Sequence, residues 1–262
     1  MKLSFGGTPW EKEWKRLLTA EKRFLDGKRD DSRGLLEKFA ENHMPDNVQE
    51  TLHAAFKKAF GLVQKNGRFV IERAYPRKKR EADYEIRAYA EELRGDKKAL
   101  RAFRKEASGI RRGNLALSAA EGVGLGILGI GLPDIPLFAG VILKSVYEIA
   151  VNYGFSYEEE EEQVFLLKVI GAAVSDRGPC MKINGELDEW IAGERRFSET
   201  AEEQADICAE ALSRRLLYMK FIQGIPLAGA LGGMSDAVCL KEILAFADLK
   251  YQKRFLLKRR KT

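Results

Sequence analysis

Between residues 122 and 143 the chain reads GVGLGILGIGLPDIPLFAGVIL, 22 residues with a single charge, Asp134. Length alone would allow this run to cross a bilayer, which takes about 20 apolar residues. Three features oppose a straight span. Pro133 and Pro136 each interrupt the helical hydrogen-bond ladder. A carboxylate at a bilayer centre costs several kcal/mol unless it is paired. Six glycines each lower helix propensity by about 1 kcal/mol relative to alanine. The pattern predicts two apolar helices meeting at a corner. The first ends at Leu132-Pro133. Asp134 then caps the second, its carboxylate accepting backbone N–H bonds at the positive dipole end. Pro136 falls in the first turn, where a missing N–H is no loss. The glycines let neighbouring backbones approach closely. A buried hairpin in a soluble core is the expectation, and a membrane-contacting hairpin is the alternative. Residues 221–233, FIQGIPLAGALGG, repeat the theme around Pro226 and lead to Asp236.

The rest of the chain carries helical spacing. Asp46 is placed to cap a helix with Leu52, Ala55, Ala59 and Val63 on one face, ended by Asn66-Gly67. The stretches Ala82–Leu93 and Lys97–Ala107 are charged with a thin apolar stripe, as surface helices are. Ser198 is placed to cap a helix bearing Ala201, Ala205, Cys208, Leu212, Leu216 and Met219. Leu240, Leu244, Ala247, Tyr251 and Phe255 give the last one its stripe. Only Arg68–Glu72 resembles a strand. The fold class is all-α: a multi-helix globular bundle with a central glycine-rich apolar helical hairpin. Residues 1–44 read as a charged helical N-terminal extension and 45–262 as the helical domain.

Charge is laid out in blocks. Residues 1–112 carry a net +10, residues 113–247 a net −10 and residues 248–262 a net +6. These blocks either pair inside one fold or present a basic surface to an anionic partner. The tail leaves both readings open: its helix either packs its apolar face on the core with its charges paired to the acidic middle block, or lies on an anionic surface. Lys250, Lys253, Arg254, Lys258, Arg259, Arg260 and Lys261 surround Tyr251, Phe255, Leu256 and Leu257, as in a helix lying on an anionic membrane. Arg77–Arg80 forms a second basic cluster. A nucleic-acid partner through the basic N-terminal region is an alternative. It lacks an aromatic RNA-binding motif, a zinc finger or a basic zipper.

Few residues suggest chemistry. Cys180, Cys208 and Cys239 lie far apart, which suits a reducing, cytoplasmic compartment and no cysteine metal site. The N-terminus turns charged before any apolar run forms, so no signal peptide is expected. His43 and His53 are separated by Pro45 and have no accompanying HExxH, so no metal is expected. Gly124-Leu-Gly-Ile-Leu-Gly129 matches GxGxxG, with Glu148 about twenty residues on. A dinucleotide site needs a strand before those glycines and an intact helix after them. The preceding residues read helical and Pro133 would cut the helix, so no cofactor is expected. Asp134 and Glu148 lie about 21 Å apart on a straight helix, too far to act as one acid–base pair. A hydrolase using either with a residue from another segment is the enzymatic alternative. Lys144, four residues before Glu148, is a partner for it. Lys253 or Arg254 of the tail are further candidates.

Gly131-Leu-Pro-Asp-Ile-Pro136, Val146-Tyr-Glu-Ile-Ala150 and Tyr153-Gly154-Phe155 together resemble the signature of the EcsC protein family. Ile225-Pro226 through Gly233, and Tyr251–Leu256, resemble its C-terminal block. Pro45–Ala59 is similar to its opening helix. The acidic run Glu158–Glu162 departs from the pattern. The signature positions carried over are Pro133, Asp134, Pro136, Glu148, Tyr153, Gly154, Pro226 and Arg254, none with an assigned catalytic role. The family is named after a bacterial operon that also encodes an ABC transporter. The resemblance implies a helical protein linked to membrane transport. Together with the basic tail, the expectation is a non-enzymatic accessory protein at the cytoplasmic membrane face, associated with ABC-type transport, with a membrane transporter or an anionic membrane surface as partner.

Overall fold

A computed structural model describes residues 7–30, 49–61, 77–94, 97–126, 135–222 and 232–260. Among them the chain is helical, with no strand. The helices are α1 (Pro9–Asp26), α2 (residues 49–61), α3 (Arg77–Arg94), α4 (Lys97–Gly126) and α5 (Ile135–Asn152). They continue as α6 (Glu160–Val174), α7 (Arg177–Ala192), α8 (Ala201–Ile222) and α9 (Gly232–Arg260). Several sequence readings fall outside the described residues: Pro133, Asp134, Pro226 and Lys261, the strand-like Arg68–Glu72, His43, and the caps at Asp46 and Asn66-Gly67.

Local chemistry sets the ends. Thr8 and Glu11 form a reciprocal cap at α1, with the Glu11 N–H on Thr8 Oγ1 at 3.1 Å and the Thr8 N–H on Glu11 Oε2 at 2.7 Å. Helix α5 starts at Ile135, directly after Asp134, and Pro136 occupies its first turn, as the corner reading requires. Helix α7 stops at Gly193, whose φ of 83° is left-handed. The start of α8 corrects one expectation. Its cap is Thr200, not Ser198: the Glu203 N–H reaches Thr200 Oγ1 at 3.2 Å and the Thr200 N–H reaches Glu203 Oε2 at 2.8 Å. Only Thr200 has a glutamate three residues on, so only it closes the reciprocal pair. Thr200→Ala is expected to lower stability by about 1 kcal/mol, read as a shift in the urea midpoint at constant slope.

Two helices are buried on nearly every side and form the centre. In α5 all of Val141–Asn152 except Lys144 is buried. In α6 all of Val164–Val174 is buried. The second limb of the glycine-rich segment is therefore core. Helix α9 passes through the bundle and packs against α1, α4, α5, α6, α7 and α8. Its stripe of Leu240, Leu244, Ala247, Tyr251 and Phe255 is buried as expected, and so are Ile243, Phe246, Lys250 and Gln252 on its other faces. Helix α1 lies antiparallel to it: Trp10 Nε1 donates to the Leu256 carbonyl at 2.7 Å, and Phe24 stacks on Phe246 at 4.9 Å. Residues Pro9–Asp26, read as part of an extension, thus belong to the packed body. Among the described residues no helix is long and apolar enough to cross a membrane.

Candidate functional site

Ser145, Glu148 and Asn152 recur at three- and four-residue spacing, so they share one side of α5. All three are buried, and partners from α3, α4 and α5 itself satisfy them. Ser145 Oγ donates to its own helix at the Val141 carbonyl, 2.6 Å away. Asn114 of α4 donates to Glu148 Oε2 at 2.5 Å. Lys144 reaches Glu148 Oε1 at 3.4 Å and Asn114 Oδ1 at 3.1 Å. Arg80 of α3 meets the same Oε1 at 3.3 Å and also approaches Glu106 at 3.5 Å. One turn on, Asn152 donates to the Phe103 carbonyl at 3.0 Å and accepts from Arg87 at 2.9 Å.

The line continues across α9. Tyr153 donates its hydroxyl to Asp248 Oδ1 at 2.7 Å, and Arg111 of α4 holds Oδ2 at 2.9 Å. Burial, reinforced by the negative Asp248, pushes the Tyr153 phenol well above its ordinary range, so it stays a donor. Gly154 follows with φ 79°, turning the chain out of α5 beneath the Tyr84 ring. The signature residues Glu148, Tyr153 and Gly154 are therefore one polar seam that fastens α3, α4 and α9 to α5.

A family model of the EcsC protein family matches residues 11–256. The chain belongs to the EcsC protein family. It is 26% identical over 227 residues to "Uncharacterized protein YdbA" of Bacillus subtilis (strain 168), covering 83% of this chain and 81% of that protein. It is 26% identical over 132 residues to "Protein EcsC" of the same organism, covering 48% of this chain and 52% of that protein. No solved structure matches.

In this EcsC-family fold three of the tail cations follow the internal-pairing alternative rather than the membrane-surface one. Lys250 is fully buried, with its ammonium 2.7 Å from Glu21 Oε1 and 2.6 Å from Asp188 Oδ1. Lys253 meets the other two oxygens, Glu21 Oε2 and Asp188 Oδ2, each at 2.7 Å. Arg254 makes a two-pronged bond to Glu162, at 2.8 and 2.5 Å, and lies over Phe155, Phe165 and Trp190. Neither Lys253 nor Arg254 is the partner of Glu148; Lys144, Arg80 and Asn114 are. Arg259 pairs with Glu91 at 3.2 Å. Of the tail set, Lys250, Lys253 and Arg254 point inward because carboxylates of α1, α6 and α7 meet them there. Lys258 and Arg260 are exposed.

Glu148 is almost fully buried and its oxygens take three donors, all from the protein. Cys180, Cys208 and Cys239 are buried free thiols, and burial pushes those of Cys180 and Cys208 up, away from the reactive thiolate. His53 sits 3.2 Å from Asp206, which Lys57 also holds at 2.8 Å. Among the described residues no group of three or more His, Cys, Asp or Glu is arranged for a metal ion. Sequence reasoning missed Arg80, Arg87, Asn114 and Asp248. A signal existed for the first two: Arg80, Tyr84, Arg87 and Glu91 recur at spacings of four, three and four, an inward stripe whose polar members look like surface.

Proposed function

We propose that this EcsC-family chain is a non-enzymatic accessory protein that works at the cytoplasmic face of a membrane, in association with ABC-type transport. The observation that carries the reading is where the charges go. Several carboxylates of the acidic middle block are tied to cations, among them Glu148, Glu162, Asp188, Glu186 and Glu199. Exposed Lys12, Lys15 and Arg23 on α1 and Lys98, Lys105 and Arg112 on α4 are left without carboxylate partners among the described residues. A chain of net +6 with such cations on two adjoining helices suits an anionic leaflet. Three separated, buried thiols fit a reducing compartment.

Co-sedimentation with vesicles tests the reading. The full chain is expected to pellet with vesicles containing phosphatidylserine at low salt. Neutral phosphatidylcholine vesicles should leave it in the supernatant. About 1 M salt, where the Debye length is about 3 Å, should release it. Absence of pelleting with anionic vesicles at low salt would sink the membrane reading. The transport association is tested separately by crosslinking in intact cells. Failure to recover an ATP-binding cassette subunit would remove that part.

A further inference from the structure

We propose that the membrane-apposed surface is the joint outer face of α1 and α4, not the tail; this rests on the membrane reading above. In α4, Lys98, Arg101, Lys105 and Arg112 are exposed. At about 100° per residue they fall within roughly 60° of arc, opposite the buried Leu100, Phe103, Ala107 and Ile110. Glu106 is the one carboxylate between Lys97 and Ala116, and it is turned aside toward Arg80 at 3.5 Å. Lys98, Lys105 and Arg112 have no carboxylate partner among the described residues.

Helix α1 extends this face. Glu13 is buried between the two helices and shared by Arg16 of α1 with Arg101 and Arg104 of α4, at 3.0 to 3.5 Å. That locks α1 and α4 side by side on α9, so their solvent faces point the same way. Lys12, Lys15 and Arg23 are exposed on α1 with no carboxylate partner among the described residues. The exposed acids of α1 are occupied: Glu11 by the Thr8 N–H and Asp26 by Lys22 at 2.6 Å.

The shape favours a lipid surface over nucleic acid. Lys98 to Arg112 span about 21 Å of straight helix, a ridge rather than a groove. Single-stranded nucleic acid is held by grooves with aromatic stacking platforms, and no large aromatic side chain of α1 or α4 is exposed. Leu18, 40% exposed beside Lys15 and Lys22, gives the basic face an apolar contact of the kind interfacial helices place among headgroups.

The test uses the full chain with three sets of substitutions and phosphatidylserine-containing vesicles. Lys98→Glu, Lys105→Glu and Arg112→Glu together are expected to weaken vesicle binding more than tenfold. Lys258→Glu with Arg260→Glu is expected to change it less than threefold. Should the glutamate triple fail to fold by circular dichroism, Lys98→Gln, Lys105→Gln and Arg112→Gln replace it, with the same direction expected. If the tail pair abolishes binding while the α4 triple binds like the parent, this inference is overturned and the membrane reading stands. If the parent ignores vesicles but binds duplex or single-stranded DNA at the same salt, both are overturned.

Discussion

Lys250→Ala is expected to destabilise the protein by about 3–5 kcal/mol, the loss typical when one member of a buried ion pair is removed. Two ammonium groups, Lys250 and Lys253, alternate with two carboxylates, Glu21 and Asp188, at contacts of 2.6 to 2.7 Å. The four come from α1, α7 and α9, so the cluster joins three helices. Deleting Lys250 leaves two carboxylates sharing one cation, with the lysine stem beside Phe246 replaced by a void. At 2–4 °C per kcal/mol for chains of roughly this size, the melting point should fall by about 10 °C. The cluster is not sealed evenly: the Asp188 side chain is 33% exposed and that of Glu21 only 8%. Water can therefore solvate Asp188, and Glu21→Ala should cost more than Asp188→Ala. Lys258→Ala, at an exposed position on the same helix, should stay within about 0.5 kcal/mol. A Lys250→Ala protein that melts with the parent and loses vesicle binding would return Lys250 to the surface role its sequence suggested.

That contrast shows where sequence reasoning stops. The helical character of the chain was legible because periodicity is a local property: Leu240, Leu244, Ala247, Tyr251 and Phe255 recur at helical spacing, and the stripe they make is buried. The start of α5 was legible for the same reason, since Pro136 is tolerated in the first turn of a helix and the helix holds it there. The destination of a charge is not local. Lys250 and Lys253 beside Tyr251 and Phe255 make the same pattern whether the basic side faces lipid or a carboxylate. The deciding residues, Glu21 and Asp188, lie 229 and 62 positions away from Lys250. Arg80 is similar. Within Arg77–Arg80 it reads as a solvated basic cluster, yet Glu148, 68 residues on, draws it inward. The block layout held the clue in averaged form: a basic front and tail flanking an acidic middle pair through Arg80–Glu148, Arg29–Asp176 and Arg254–Glu162. Blocks do not name partners. The unpaired stripe on α4 escaped notice because its individual charges are ordinary for a surface helix; what distinguishes it is that Glu106 turns away.

Gly154→Ala should be the most damaging single methyl addition at the seam, costing about 3 kcal/mol. Two separate terms act. The residue stands at φ 79°, where a side chain costs about 1–2 kcal/mol. A Cβ there would also fall inside the ring of Tyr84, which meets Phe103 edge-on at a centroid distance of 5.9 Å. The ring cannot retreat without lifting α3, and α3 carries Arg80 to Glu148 and Arg87 to Asn152. A double-mutant cycle separates the terms. In a Tyr84→Ala background the collision is gone, and adding Gly154→Ala should cost only the backbone strain, about 1 kcal/mol. The coupling between the two changes is then about 2 kcal/mol, readable in urea titrations at constant slope. Equal costs of Gly154→Ala in both backgrounds would mean that Tyr84 does not hold this turn. A Gly154→Ala protein as stable as the parent would remove the left-handed turn from the account of the Tyr153-Gly154 signature.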